Sequence, residues 1–325
     1  MEAESLFAPV HFAEIRLNGK TFQVPSLEIE GRTLIVTGKW IKTASIRDAD
    51  VMEGELVKNP ETFIAALKNG DLKADVLTFF QRPPEVTPKF NYHFEWENYA
   101  AVPITTFENW WEKLPQETRK NARRAAKRGV VMKSVAFDDE LARGIHKLYN
   151  ETPVRQGKRF WHYGKNFETV KREHVTYLER SEFIGAYFQD ELIGFIKMVY
   201  VDRLAYMFHI IAMNAHFDKR PMNALIAKAI EVCAQKGVGY LIYGNYIYGN
   251  KNHSSLAEFK RRNGFEPINF PTYYIPLTLK GALYINLKLY RGAGGLLPEP
   301  VLQSLLAIRS WFYNKREKSA ESNGE

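Results

Sequence analysis

Three side chains in the middle of the sequence could carry a proton during a reaction. His209 lies inside an apolar stretch, where it shares a face with Met207 and Ile211 if the stretch is a regular strand. His162 lies in a loop and Asp218 in a polar turn. Imidazole and carboxylate groups are common general bases, so these three residues are the catalytic candidates. The alternative is that the histidines are structural hydrogen-bonding residues.

The sequence offers little support for other kinds of catalysis. The G-x-S-x-G motif of a serine nucleophile is absent, and the single cysteine, Cys233, falls on an apolar helix face, where burial suppresses reactivity. The histidines in this region do not have metal-ligand spacing; they are His162, His209, His216 and His253. We therefore expect no metal site and no disulfide.

A polar turn after the His209 stretch could hold a phosphate group. Lys219, Arg220 and Asn223 lie at the start of a predicted helix, whose first N–H groups and dipole favour anions. The turn contains no glycine, and Pro221 removes one N–H donor. A solvated turn without a ligand is the alternative.

A tyrosine-rich loop follows the next predicted strand, Tyr240 to Tyr243. Its spacing nearly matches a phosphate-binding P-loop, but Asn250 displaces the lysine, so nucleotide hydrolysis is not expected. The loop could instead form the wall of a substrate site, with Asn252 on the donor side. Simple packing of the tyrosines is the alternative. The acceptor-side candidates here are Tyr243, Tyr246, Tyr248 and Ser254.

A second loop, residues 153–165, combines cations with aromatic rings, which is common on binding surfaces. Its candidates for contact with an acceptor substrate are Arg155, Arg159 and Tyr163. Phe160 and Trp161 could equally fill the core.

The surrounding pattern predicts the elements that position these residues. The first hundred residues alternate in the manner of β-strands and contain no catalytic motif, so we expect a structural role for them. Three strands ending at Ala212 form an antiparallel meander, followed by a helix over 222–236 and a parallel strand from Tyr240. In such a unit the ligand site lies beyond the carboxyl ends of the strands.

A formal net charge of +8 favours anionic partners such as phosphates, nucleic acid or a membrane surface. Residues 117–128 form a predicted helix with six cations and one anion. A solvated basic face, nucleic-acid contact and membrane contact are all open interpretations of this helix. The sequence shows no signal peptide and no apolar run long enough to cross a membrane.

The order of these elements resembles the GNAT acyltransferase fold, and within it the Fem-type branch. The supporting motifs are short, and their order and spacing matter more than any one of them. They are Arg119 to Val130, Glu151-Thr152-Pro153-Val154-Arg155, Ala224-Leu225-Ile226 and the pair Phe259-Lys260. The match is good from about residue 115 to 277.

The resemblance implies a mixed α/β (α+β) fold, with a GNAT-like sheet flanked by helices and two tandem halves, the first degenerate. We assign residues 1–105 to the first half, 106–291 to the catalytic half and 292–325 to a C-terminal amphipathic helix with a disordered tail. The implied activity is transfer of an acyl or aminoacyl group onto an amine of a sugar or peptide precursor of the cell surface.

The resemblance also implies the partners. The donor would be acyl-CoA or aminoacyl-tRNA, and the missing glycines in the turn favour a donor other than coenzyme A. Besides a small-molecule or precursor substrate, tRNA is an expected partner. The amphipathic pattern over 298–314 predicts a helix that packs on the body of the protein, with docking to a membrane surface or a partner as the alternative. We expect a cytoplasmic protein at the inner face of the membrane. A degenerate protein that only binds an anionic polymer, nucleic acid or membrane surface is the alternative.

Overall fold

A computed structural model describes residues 9–17, 20–155, 157–247 and 255–291. The strands are β1 (His11–Leu17), β2 (Lys20–Ile29), β3 (Arg32–Thr37), β4 (Thr43–Ile46), β5 (Val76–Phe80), β6 (Phe94–Pro103), β7 (Val131–Val135), β8 (Val154–Arg155), β9 (Lys158–Arg159), β10 (Ser181–Phe188), β11 (Glu191–Val201), β12 (Leu204–Ala212), β13 (Tyr240–Ile242) and β14 (Glu266–Pro276). The α-helices are α1 (Pro60–Asn69), α2 (Phe107–Lys113), α3 (Gln116–Lys127), α4 (Asp139–Tyr149), α5 (Phe167–His174), α6 (Pro221–Gln235), α7 (Ser255–Arg262) and α8 (Leu279–Asn286).

Twelve strands form one mixed sheet in the order β1-β2-β3-β4-β5-β14-β6-β13-β12-β11-β10-β7. The same arrangement occurs twice in it. In the first half, β2, β3 and β4 are antiparallel neighbours, α1 follows, and β5 pairs parallel with β4. In the second half, β10, β11 and β12 are antiparallel, α6 follows, and β13 pairs parallel with β12. The predicted fold class, with two tandem GNAT-like halves, is confirmed.

The two halves exchange strands where they meet. β6 comes before the second half in the chain but pairs with β13, and β14 comes after α7 but pairs with β5. β6 and β14 also pair with each other over eight residue positions, which joins the halves into a continuous sheet. The division at residues 105 and 106 stays a prediction, since these strands cross between the halves.

The larger hydrophobic core lies in the second half, where α4 and α6 pack on the meander. Cys233 lies in it at zero exposure, and burial raises the pKa of its thiol to about 12. A separate cluster on the same sheet combines Tyr99, Tyr206 and Phe270 with Val51 of the first half. The first half therefore covers part of the second half's sheet.

Some element boundaries differ from those predicted. The sequence pattern predicts a helix over 167–180, but α5 ends at His174, since Tyr177 adopts a left-handed conformation with φ of 55° that a continuing helix does not allow. β4 has only four residues and was not predicted. Residues 282–289, ambiguous between helix and strand, contribute to α8, which Thr278 caps by accepting a hydrogen bond from the Gly281 N–H. The predicted helix over 298–314 lies outside the described residues.

Candidate active site

The two parallel strands of the second half separate at their carboxyl ends. β12 and β13 pair only over three positions, ending at Tyr206 and Ile242, while β12 continues to Ala212. Beyond β13 the chain turns toward β6, where the Gly244 carbonyl accepts a hydrogen bond from the Ala100 N–H. This leaves a crevice beyond the last paired residues, as the parallel-strand pattern predicts.

A cavity of about 390 Å³ opens beside the crevice. Its wall comes from β5, β14, β6, β13 and β12, together with the first half's segment at Asp50. The lining residues are Asp50, Phe80, Glu97, Tyr99, Tyr206, Met207, Phe208, Ile242, Gly244, Asn245, Phe270 and Thr272. Both halves therefore contribute to this site, although the first half was expected to be purely structural.

Two carboxylates lie in this cavity. The Tyr99 hydroxyl donates a 2.6 Å hydrogen bond to Asp50 Oδ1, which fixes the position of the carboxylate. Burial, followed by the nearby Asp50 charge, raises the pKa of Tyr99 well above its ordinary value, so Tyr99 stays a hydrogen-bond donor. Burial, and then the charge of Glu95, raises the pKa of Glu97. A carboxyl with a raised pKa is better matched to proton transfer near neutral pH.

His209 follows directly after Phe208 of the cavity wall. The ladder between β11 and β12 shifts by one residue here, because Met198 pairs with Met207 but Lys197 pairs with His209. This bulge at Phe208 places His209 on the opposite face from Met207. The expectation that the two share a face is therefore wrong, while Ile211 does remain on the His209 face.

On that face His209 belongs to a cluster of rings. Its Nδ1 lies 3.4 Å from the Tyr149 hydroxyl, which lies 3.1 Å from His174 Nε2. The centroid of the His162 ring lies 4.1 Å from that of Tyr149, with the two rings tilted by 32°, and 5.9 Å from that of His209. Two of the predicted proton carriers, His209 and His162, are thus brought together by α4, α5 and the loop between them.

All three histidines of this cluster stay neutral at ordinary pH. Burial, followed by the charges of Lys197 and Lys165, lowers the pKa of His209 to about 3. Burial and then Lys165 lower the pKa of His162 to about 3, and burial and then His209 lower that of His174 to about 2. A base with so low a pKa accepts a proton with little driving force.

The loop over 153–165 is fastened to the end of β12. Arg155 Nη1 donates to the Ala212 carbonyl at 2.9 Å, and Nη2 donates to Glu151 at 3.1 Å. Glu151 in turn accepts hydrogen bonds from the Asn214 and Ala215 N–H groups just after β12. Arg155 therefore holds β12 in position at the end that borders the crevice.

Two further residues of that loop face outward. Arg159 and Tyr163 have exposed side chains. His162, between them in sequence, is buried, and its Nδ1 lies 3.3 Å from Lys165 Nζ. An acceptor molecule could thus contact Arg159 and Tyr163 directly, whereas His162 is reached only through its neighbours.

The turn before α6 holds the expected donor-binding residues. Lys219 lies on the Phe188 ring, 4.6 Å from its centroid, and Arg220 is exposed in a left-handed conformation with φ of 59°. Asn223 Nδ2 donates to Asn263 Oδ1 at 3.0 Å, so this amide also joins α6 to the turn after α7. The turn follows β12 at its crevice end.

Asp218 lies on the outer surface of the same turn. Its carboxylate accepts a 2.8 Å hydrogen bond from Arg128 at the end of α3. Burial acts to raise the pKa of Asp218, but Lys219 and Arg128 outweigh it and hold the pKa below its ordinary value. These contacts tie Asp218 to α3 and do not bring it into the ring cluster of His209 and His162.

The loop after β13 forms the other side of the crevice. Tyr243 packs 5.7 Å from Phe265, and Tyr246 is partly buried against the main core. Lys260 of the Phe259-Lys260 pair lies behind this loop, where its Nζ donates to the Asn245 carbonyl at 2.6 Å. Burial lowers the pKa of Lys260 to about 8. Three further predicted residues lie outside the described part of the chain: Tyr248, Asn252 and Ser254.

Asp50, Glu97, Tyr99 and Thr272 were missed at the sequence level. The alternation of Glu97, Tyr99 and Ala101 in β6 indicates a shared face, but no local signal says that β6 joins the second half's sheet.

Among the described residues, no group of histidine, cysteine and carboxylate side chains is arranged to hold a metal ion. Within those residues, no helix is long and apolar enough to span a bilayer.

No protein-family model and no curated protein sequence matches the chain. Solved structures do match it. FemX superposes with a TM-score of 0.54 at 12% identity, over 87% of this chain and 91% of FemX. L-PGS from Bacillus licheniformis gives 0.51 at 14% identity, over 82% and 87% of the two chains. The fold is that of the Fem-type GNAT proteins.

A further match within this fold is the C-terminal domain of a putative lysylphosphatidylglycerol synthetase from Agrobacterium fabrum. It has a TM-score of 0.52 at 12% identity, over 83% of this chain and 89% of that domain. At these identities the Fem-type likeness establishes the fold, and the chemistry must be argued from the crevice itself.

Proposed function

We propose that this protein is an acyltransferase that moves an acyl or aminoacyl group onto an amine of a sugar or peptide precursor of the cell surface. The observation that carries the proposal is the crevice between β12 and β13, which opens beside a cavity containing Asp50 and Glu97. Carboxylates in a partly enclosed cavity attract an ammonium group and can accept its proton. The Fem-type fold supports the same reading.

The proposed reaction is a direct transfer. The amine nitrogen attacks the carbonyl carbon of the activated donor, an N–C bond forms, and the C–O or C–S bond to the leaving group breaks. The proton released by the amine passes to a base and then to the leaving oxygen or sulfur. Glu97 in the cavity and His209 on β12 are the candidates for this base, and the raised pKa of Glu97 favours it as the stronger one.

The other predicted catalytic residues have weaker support. His162 is covered by Tyr149 and Trp161, so it acts through the ring cluster in this proposal. Asp218 is paired with Arg128 on the outer surface, so its role in this proposal is to hold the turn that binds the donor.

We assign the donor to the turn before α6. The phosphates of an acyl-CoA, or the 3′ end of an aminoacyl-tRNA, would contact Lys219, Arg220 and the first N–H groups of α6. Asn223 and Asn252 would lie beside this donor site. The absence of glycine from the turn favours the tRNA donor. The five cations of α3 would supply further phosphate contacts.

We assign the acceptor to the opposite walls of the crevice. Arg159 and Tyr163 are exposed on one side of the crevice, and Tyr243 and Tyr246 belong to the loop on the other side. Arg155 holds the end of β12 in place for this contact. Tyr248 and Ser254 complete the proposed acceptor side. The cytoplasmic inner face of the membrane suits such a precursor.

The test is transfer of a radiolabelled group to a panel of amino-sugar and peptide amines, with acetyl-CoA and charged tRNA offered in parallel. Glu97→Gln should lower kcat/KM by about 10²-fold or more, because it removes a proton acceptor without changing the side chain's size. Glu266→Gln, an exposed carboxylate on the neighbouring strand β14, is the matched control. Undiminished turnover in Glu97→Gln would exclude Glu97 as the base.

The exposed cations of α3 favour one second function, binding of an anionic polymer without catalysis. The same assay separates the two. If charged tRNA binds tightly to the protein with its crevice intact, but its aminoacyl group is transferred to no acceptor, the result would support the binding function and contradict the enzymatic one.

A further inference from the structure

A stripe of three leucines runs along the outer face of α8 and its last turn. Leu279 is 93% exposed, Leu283 56% and Leu287 53%. A spacing of four residues places them on one side of the helix, over about 12 Å of its length. Contiguous exposed apolar surface of this kind marks an interaction site more often than chance scatter does.

The opposite face of α8 fixes how the stripe is presented. Gly281 and Ile285 lie between the leucines in sequence and point to the protein, where Ile285 packs in a small cluster with Ile41 and Val76. A Cβ at Gly281 would lie 1.9 Å from the Asp75 carbonyl oxygen, so the helix rests directly on the backbone at the start of β5. The leucines therefore cannot turn inward without displacing α8.

An aromatic ring and several cations surround the stripe. Trp40 is 66% exposed, and Lys280 Nζ lies 5.5 Å from the centroid of its ring. Lys288 follows Leu287 directly and is exposed, and Lys39 is exposed beside Trp40. Asp75, a carboxylate beneath this helix, has a side chain only 14% exposed and is already paired with Lys280.

We propose that this surface, the α8 stripe (Leu279, Leu283, Leu287 with Trp40), docks on an anionic lipid surface. Leucines that face outward from a short helix, a tryptophan beside them and lysines at the rim are the combination that binds in the plane of a bilayer interface. The lysines select anionic headgroups, while the leucines enter the boundary between headgroups and acyl chains. This contact is independent of the crevice and of its proposed chemistry.

The experiment is flotation of the full chain with vesicles of phosphatidylcholine alone, or of phosphatidylcholine and phosphatidylglycerol in equal parts. The wild type should bind the phosphatidylglycerol vesicles at least about fivefold more tightly, and added salt should weaken this binding. The triple variant Leu279→Gln, Leu283→Gln, Leu287→Gln should lose at least about tenfold in partitioning. Glutamine keeps helix propensity and charge unchanged.

The matched control replaces three exposed aliphatic residues elsewhere with glutamine: Val131, Val175 and Leu178. It should bind as the wild type does, and thermal melting should show that both variants fold. Equal binding by the stripe variant, equal affinity for both vesicles, or no vesicle binding by the wild type would overturn the proposal. A concentration-dependent dimer that dissociates in the stripe variant would also overturn it, in favour of a second copy as the partner.

Discussion

Lys197 of β11 is a basic side chain in a buried position that disfavours its charged form. The side chain has zero exposure, and its Nζ donates to the carbonyls of His174 and Thr176 at 2.9 and 2.6 Å. These carbonyls are available because α5 ends at His174. Burial lowers the pKa of Lys197 to about 8, as it does for Lys260.

Lys197 and Lys260 should therefore make the free energy of unfolding rise with pH between about 8 and 10, whereas the raised pKa values of Cys233 and of buried tyrosines such as Tyr200 act in the opposite direction. In this range the unfolded lysines, with an ordinary pKa near 10.5, hold protons that the folded ones release, so the unfolded state binds more protons. Each lysine contributes up to about 3 kcal/mol over the full interval. Urea unfolding at pH 7, 8, 9 and 10 measures the slope.

Lys197→Met should remove about half of that rise, and adding Lys260→Met should remove most of the rest. Lys120→Met, an exposed lysine of α3, is the matched control and should leave the slope as in the wild type. A stability difference between the wild type and the double variant that stays level between pH 8 and 9.5 would contradict the low pKa of both lysines.

At the scale of elements, the turn between α7 and β14 is a place where backbone and packing requirements coincide. Gly264 has a φ of +80°, and a Cβ there would lie 2.8 Å from Trp110 Nε1 and 3.1 Å from Leu114. Trp110 Nε1 in turn donates to the Asn263 carbonyl at 3.2 Å. This turn sets the direction of β14, the strand that crosses to the first half.

Gly264→Ala should destabilise the protein by about 2 to 4 kcal/mol, since it adds a clash to the strain of a positive φ. Gly237→Ala provides the comparison, because Gly237 has a similar φ of +67° but nothing within 4 Å of its Cβ position. It should lose only about 1 kcal/mol. Urea midpoints of the two variants give the difference, and equal losses would mean that the Trp110 contact is easily relieved.

The elements of the second half could largely be predicted from sequence because each has a strong local pattern. An aspartate directly before an apolar helical pattern predicts an N-cap, and the Asp138 carboxylate does accept a hydrogen bond from the Leu141 N–H of α4. The bulge at Phe208 could not be predicted, because an apolar run looks the same with or without an extra residue. That single residue decides whether His209 faces Lys197 or the opposite side of the sheet.

The candidate site was less predictable than the fold for a similar reason. His209 and His162 were identified by type, and the structure brings their rings within 5.9 Å. Glu97 reaches the crevice only through long-range pairing, since β6 lies between β13 and β14. Asp50 reaches it because the short 3-10 helix Ala49–Val51 packs against β11. Pairing between strands far apart in sequence leaves little trace in either strand alone.

At the scale of the whole molecule, the strand exchange makes each half depend on the other. β6 pairs with β13 through residues 101–103, and β14 pairs with β5 through residues 272–276. Removing either half would leave a long edge strand without its partner, and the cavity beside the crevice would lose one wall. The crevice geometry is therefore a property of the complete sheet.

We expect the two halves to unfold together. Amide hydrogen exchange under native conditions should give β3 of the first half and β11 of the second the same opening free energy, within about 1 kcal/mol, because both open only when the shared sheet does. The end of β1, at the outer edge of the sheet, should exchange more easily and serves as the internal reference. If β3 opened several kcal/mol below β11, the halves would be independent units despite their exchanged strands, and the wall that holds Asp50 would open separately from the crevice.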